Sequence, residues 1–303
     1  MLSVFANIVL PVFIIVAIGF LLGRWRRVPP GPISQVVFYV FSPALSFSGL
    51  TGGTLAAEEA LQIALFVVLL TVVMITLSWL VARLLRLDAP HTSAFLLSSV
   101  FMNAGNLGIS ISLFAFGEAG FQRAVAFFVV HSMLSGTLAV FLASRGTGST
   151  REALLSMLRT PVSYAGAAGL AVLVWSLPVP LVVERVTSLL GAAAVPGMLV
   201  VLGLQLSDIR LGDQIPGIAA ATGMRLVVGT AVAIALVQVL GLEGVTRQVM
   251  ILQGAMPTAV FTVILASEFR AAPRFVTGVV LASTCGAIVT LTILATWLGV
   301  GVV

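Results

Sequence analysis

Apolar stretches of about twenty residues, each closed by arginine, proline, glycine or an acidic residue, succeed one another along this whole chain. About 20 helical residues span a bilayer core of about 30 Å. No water reaches that depth, so backbone polar groups must bond within the segment, and a helix does this. Ten runs stand out: 3–23, 33–52, 60–82, 92–117, 120–144, 161–179, 183–206, 217–240, 245–269 and 275–300. The charge content excludes a soluble alternative. Of 303 residues 60% are apolar and 8% charged, where a soluble domain has about a quarter charged. A soluble enzyme, a disordered chain and a fibre are excluded. The expected fold class is all-α and polytopic, with ten transmembrane helices.

All 15 basic residues are arginine. Without lysine there is neither a Walker A phosphate loop nor a Schiff-base amine. The arginines also orient the chain. Arg24, Arg26, Arg27, Arg83, Arg86, Arg145, Arg151, Arg159, Arg210, Arg270 and Arg274 fall in one set of loops. Arg123, Arg185 and Arg247 fall in the other. Eleven against three assigns the first set to the cytoplasm and both termini to the outside of a prokaryotic inner membrane. This bias accounts for the net charge of +5 without a nucleic-acid partner. The first run has no basic residue before it, unlike a signal peptide. Cys285 is the single cysteine, and no Cys/His grouping has metal-ligand spacing, so neither a metal nor another cofactor is expected.

The halves repeat. Pro11-Val12 and Gly19 recur as Pro161-Val162 and Gly169, Pro43 matches Pro196, and Glu118 and Arg123 match Glu268 and Arg274. Five spans per half is an odd number, so the second half enters from the opposite face. The expected organisation is a first five-helix repeat (1–144), a linker with an interfacial helix near Arg151–Arg159 (145–160), and a second, inverted repeat (161–303). Inverted repeats are common in secondary transporters.

Span 4 carries Asn103-Ala104-Gly105-Asn106-Leu107-Gly108 at its middle, and span 9 carries Gln253-Gly254-Ala255-Met256-Pro257-Thr258. Glycine costs about 1 kcal/mol relative to alanine inside a helix, and asparagine competes for backbone bonds. Pro257 removes a donor and suits the first position of a new half-helix. Paired midplane interruptions point to a transport site. Half-helix starts offer free N–H groups and a positive dipole end, which favours a carboxylate.

These residues resemble the auxin efflux carrier family, which includes plant auxin exporters and bacterial carboxylate permeases. The likeness covers all ten spans. Pro43-Ala44-Leu45-Ser46-Phe47 is similar to the family's Pro-x-Leu-Ser-Phe. Asn103 through Gly108 to Phe116-Gly117-Glu118 keeps its Asn-to-Gly spacing. Pro196, Leu199, Gly203 and Leu206 keep its intervals, and Pro257 with Ala266-Ser267-Glu268-Phe269 matches its span 9 ending. The resemblance implies a fold shared with sodium/proton antiporters and bile-acid symporters. A mobile bundle built on crossing helices 4 and 9 would move, elevator-like, against a scaffold whose helices also form a homodimer. It implies that Asn103 contacts a substrate carboxylate. The family usually has proline shortly after that asparagine, and this chain has Ser110. The span 4 break must then rest on Gly105, Asn106 and Gly108.

Two further polar residues lie at depth. A histidine ordinarily titrates near neutral pH, so His131, at the centre of span 5, is a candidate proton carrier. Arg225 lies about 12 Å into span 8. It is expected to snorkel to the cytoplasmic surface or pair with Asp208 or Glu268; otherwise it draws in an anion. All ten acidic residues fall in loops or at span ends, so the midplane carboxylate of a sodium/proton antiporter is missing. The expected activity is alternating-access transport of a small organic anion. Its carboxylate would sit between Asn103 and the helix ends near Gly108 and Thr258, with Pro43, Ser46 and Pro196 shaping the wall. A proton or sodium, the latter through Gln253, Thr258, serines and carbonyls, is the open choice of coupling ion. The alternatives are a sodium-coupled bile-acid-type symporter, an intramembrane serine protease using Ser110, Ser112 or Ser132 with His131, and a non-transporting receptor.

Overall fold

The computed structural model describes residues 1–53, 55–144, 160–207 and 214–300. The expected interfacial helix near Arg151–Arg159 and the proposed partner Asp208 lie outside them. The described residues are helical throughout, apart from short connections and one isolated bridge, Met102 to Thr258.

Among the described residues seven helices are long and apolar enough to cross a membrane. They are α1 (Leu2–Arg26), α2 (Pro30–Thr51), α3 (Ala57–Leu84), α5 (Ala104–Ala143), α7 (Leu181–Ser207), α8 (Ile215–Val239) and α11 (Pro273–Trp297). Four shorter helices complete the set among the described residues: α4 (Ala89–Val100), α6 (Pro161–Trp175), α9 (Gly244–Gly254) and α10 (Phe261–Glu268). Span 4 divides into α4 and the first limb of α5. Span 5 is the second limb, beyond a bend at Gly117, whose φ of 61° and ψ of −150° suit only glycine. Span 9 divides into α9 and α10.

The sequence explains several boundaries. Pro30, Pro90, Pro161 and Pro273 stand in first turns, where the missing N–H costs nothing. Asp88 caps α4, its carboxylate accepting from the His91 N–H at 2.9 Å. Inside the helices, hydroxyls such as those of Thr71 and Ser98 return to the carbonyl four residues back, which satisfies them without water.

Packing divides the helices into two groups. α1 lies along α7 and α2 along α6, while α3, α4, α5, α8, α9, α10 and α11 pack among themselves. Lipid-like surroundings supply no hydrophobic drive between helices, so close approach depends on small residues. Gly19 lies against the Val200 backbone, and Gly203 lies against Val16 and Phe20. Gly169 in turn meets Leu50 and Phe47. At one end of the bundle Arg123 forms a bidentate pair with Glu59 (2.7 and 2.8 Å) and donates to Thr246 at 2.7 Å. That contact ties the starts of α3 and α9 to the second limb of α5.

Candidate functional site: a cavity ending at a helix crossover

Between α4 and α5 the helix is interrupted at Phe101, Met102 and Asn103, and between α9 and α10 at Ala255–Val260. The two segments cross and meet in the isolated antiparallel bridge between Met102 and Thr258. Asn103 N donates to Pro257 O at 2.7 Å, and Ala259 N donates to Phe101 O at 3.0 Å. Thr258 locks the crossing, its hydroxyl donating to Ser98 O at 2.7 Å and its N–H to Ser283 Oγ at 3.1 Å. Non-helical backbone at membrane depth is tolerated when its polar groups bond within the protein, as here.

This geometry corrects two sequence expectations. Pro257 is not the first residue of a half-helix; α10 begins at Phe261, because Pro257 and Thr258 are held in the crossing pair. Gly105, Asn106 and Gly108 do not form the break. They lie in a wide first turn of α5, in which Gly108 N donates to Asn103 O at 3.0 Å. Their small size serves packing instead: a Cβ on Gly105 would lie 2.8 Å from the Phe128 ring, and Gly108 lies against the Gln253 amide. Ser110, where the family pattern has proline, is buried and donates to Asn106 O at 2.8 Å.

Arg225 is the largest correction. It does not snorkel. The whole residue is buried, at 0% exposure, and its guanidinium donates to Ser99 O (2.9 Å), Val100 O (3.2 Å) and Gly254 O. Short of the surface its two terminal nitrogens find the free carbonyls of two helix ends. Gly229, one turn on in α8, leaves the room the guanidinium occupies. Glu268 is not its partner.

A cavity of about 490 Å³ leads to the crossover. Asn103, Gly105, Asn106 and His131 line it, with Met102 and Ala259–Phe261 at its inner end. Its outer lining comes from Ser34 and Gln35 of α2, Val140 of α5, Thr160 and Val162 at α6, and Gln205 of α7. No aspartate, glutamate, lysine or arginine is among the described lining residues. Asn103 caps α5, its Oδ1 accepting from Asn106 N at 3.2 Å. Its Nδ2 is buried without a partner. His131 stacks on Phe127, with ring centroids 5.9 Å apart. Its Nε2 lies 3.3 Å from Ser135 Oγ, and its Nδ1 is buried without a partner.

The other candidates stand elsewhere. Pro196 is exposed and contributes no wall; Met198, Val201 and Gln205 of the same helix do. Pro43 is half-buried behind Ser42, which does line the cavity, and Ser46 is spent on Ser42 O at 2.8 Å. Gln253 and Thr258 are fully buried outside the cavity. Sequence reasoning missed Gln205, Gln35 and Ser135, all polar residues inside apolar helices, and their polarity was the available signal. It could not have found Phe128, which looks like any other apolar helix residue.

A model of the membrane transport protein family matches residues 4–295. The chain belongs to this family. It is the auxin efflux carrier family that the motifs resemble. Relatives include an uncharacterized transporter of Methanothermobacter thermautotrophicus, 26% identical over 264 residues covering 86% of this chain and 87% of the relative. An uncharacterized transporter of Methanocaldococcus jannaschii is 23% identical over 274 residues, covering 87% and 89%. The chain is thus a multi-pass member of a membrane transport family.

Proposed function

We propose that this chain carries a small organic monocarboxylate across the membrane by alternating access, binding it where the cavity meets the crossover. One observation carries the reading. None of the described residues lining the cavity carries a fixed charge, yet the cavity ends at the N-termini of both α5 and α10. Each helix N-terminus is equivalent to about half a positive charge, so the pair matches about one anionic charge. Asn103 Nδ2, an unpartnered donor beside these ends, is placed for one carboxylate oxygen. Leaving a buried donor unmade costs about 1–3 kcal/mol, and a ligand recovers that loss.

The proposal includes ten crossings in two inverted repeats. Its support is a reciprocal contact. Gly19 meets Val200, and Gly169 meets Leu50; adding 150 to Gly19 and Leu50 gives Gly169 and Val200. A contact that maps onto its own exchange is what a two-fold relation between halves produces. α1, α2, α6 and α7 serve as the scaffold, and the remaining helices as the moving bundle. His131, cavity-lining and titratable, is the candidate for proton coupling.

Thermal-shift screening of purified protein tests the binding reading. Monocarboxylates at saturating concentration should raise the melting temperature, since a ligand stabilises only the state that binds it. Dicarboxylates and amines of similar size should not. Uptake of the stabilising compound into liposomes then tests transport. If no organic anion shifts the melting point or enters liposomes under any ion gradient or voltage, the assignment fails.

A further inference from the structure

We infer that Arg225 is a built-in counter-cation for the crossover, filling the electrostatic role of a co-bound sodium ion, so that this protein works without sodium. The coupling consequence rests on the transport reading; the capping and the absence of a sodium site do not.

The last four C=O groups of a helix have no partner within it. In α4 these belong to Leu97, Ser98, Ser99 and Val100. Phe101 N–H serves Leu97, the Thr258 hydroxyl serves Ser98, and Arg225 serves Ser99 and Val100. In α9 they belong to Ile251, Leu252, Gln253 and Gly254. Ala255 N–H serves the first two, Met256 N–H serves Gln253, and Arg225 serves Gly254. One side chain on a third helix thus completes both sets. These helix-end carbonyls, whose negative ends a cation would otherwise neutralise, already accept hydrogen bonds.

The charges agree with the hydrogen bonds. Each C-terminal end is equivalent to about half a negative charge, so two together balance about one guanidinium. The positive ends of α5 and α10 are left for the substrate. A sodium ion would enter a region already neutral and would face the guanidinium itself. Arginine fits the task because its planar fork has donors in two directions and keeps its proton. The surroundings are arranged for it. Gly229 leaves space beside the guanidinium, and Gly254 fits against Ala233, bringing α9 onto α8.

Two measurements test the inference, and neither uses a carboxylate. The first is binding of radiolabelled sodium to wild-type protein in detergent, with melting in sodium chloride against choline chloride. No bound sodium and equal melting points are expected. Stoichiometric sodium binding, or stabilisation by sodium over choline, overturns the inference. The second measurement is on Arg225→Ala. Its melting point should fall by at least about 5 °C and recover in part with methylguanidinium, which supplies the missing fork, but not with choline. Arg225→Lys should fall between, since one ammonium cannot serve both ends. An Arg225→Ala protein melting with wild type overturns the capping role. If that variant does not fold, the wild-type sodium measurement still decides. A sodium-binding protein that is also stabilised by monocarboxylates would sink this inference and leave the transport reading standing.

Discussion

Asn103 has two jobs that one side chain rarely combines, and substitutions separate them. Its carbonyl oxygen caps α5 while its amide nitrogen is buried without a partner. Asn103→Ala loses both and should cost about 1 kcal/mol of stability without ligand, the usual loss of a cap. Asn103→Asp keeps the acceptor and the cap, since Asp and Asn cap about equally well, and the helix N-terminus favours its charge. It replaces the donor with an anion facing an anion. Its ligand-free melting point should therefore stay nearer wild type than that of Asn103→Ala. Melting curves with and without the stabilising carboxylate check both points. The ligand shift should vanish in both variants; a full shift in Asn103→Ala would remove the side chain from the site.

Helix contacts are where the chain's small residues matter, and equal residue types there do not carry equal constraints. A Cβ on Gly19 would collide with the Val200 carbonyl, which is backbone and cannot move alone. On Gly169 it would come no nearer than 3.1 Å to Leu50 Cδ1 and 3.2 Å to Leu50 Cβ, contacts that a shift of a few tenths of an ångström relieves. Overpacking against rigid neighbours costs about 1–3 kcal/mol. Gly19→Ala should therefore lower the melting temperature by several degrees, and Gly169→Ala by much less. Similar losses in both would mean that α1–α7 and α2–α6 are equally tight. This asymmetry was not legible in the sequence, where the two glycines are equivalent markers of a repeat. What was legible is whatever follows from length and polarity: each predicted span falls on one or more helices, and the two interruptions overlap the crossing segments, at Asn103 and at Ala255–Thr258. The sequence reading misassigned the work inside those segments. Asparagine, glycine and proline were all read as helix breakers. The crossing is instead held by backbone pairing and Thr258, which leaves Gly105 and Gly108 to make room for Phe128 and Gln253. Arg225 was misread for a similar reason. Snorkelling is what an isolated helix offers a buried arginine, whereas its partners here come from α4 and α9, far away in sequence.

For the whole molecule, the position of the cavity mouth is informative. The outer lining of Ser34, Gln35, Val140, Thr160 and Gln205 comes from helix ends next to the loops with most of the arginines. The opposite end is closed over the crossover, on the side where Glu59, Arg123 and Thr246 meet. If the positive-inside rule holds for this chain, the conformation is open to the cytoplasm and closed to the outside. Cysteine labelling tests this directly. In a Cys285→Ser background, which removes the single exposed thiol, Gln205→Cys should react with a membrane-impermeant maleimide in inside-out vesicles. Ala56→Cys, in the exposed turn before α3, should react only in right-side-out vesicles. Carboxylate should protect Gln205→Cys and leave Ala56→Cys unchanged, because only the first lines the cavity. Labelling of Ala56→Cys from the cytoplasmic side would invert the assigned topology. Labelling of Gln205→Cys unaffected by a stabilising carboxylate would separate the cavity from the binding site. An inverted repeat also implies a second state in which the halves exchange conformations and the mouth opens on the Arg123 side. Slowing of Gln205→Cys labelling as the outward-facing state is populated would be its signature.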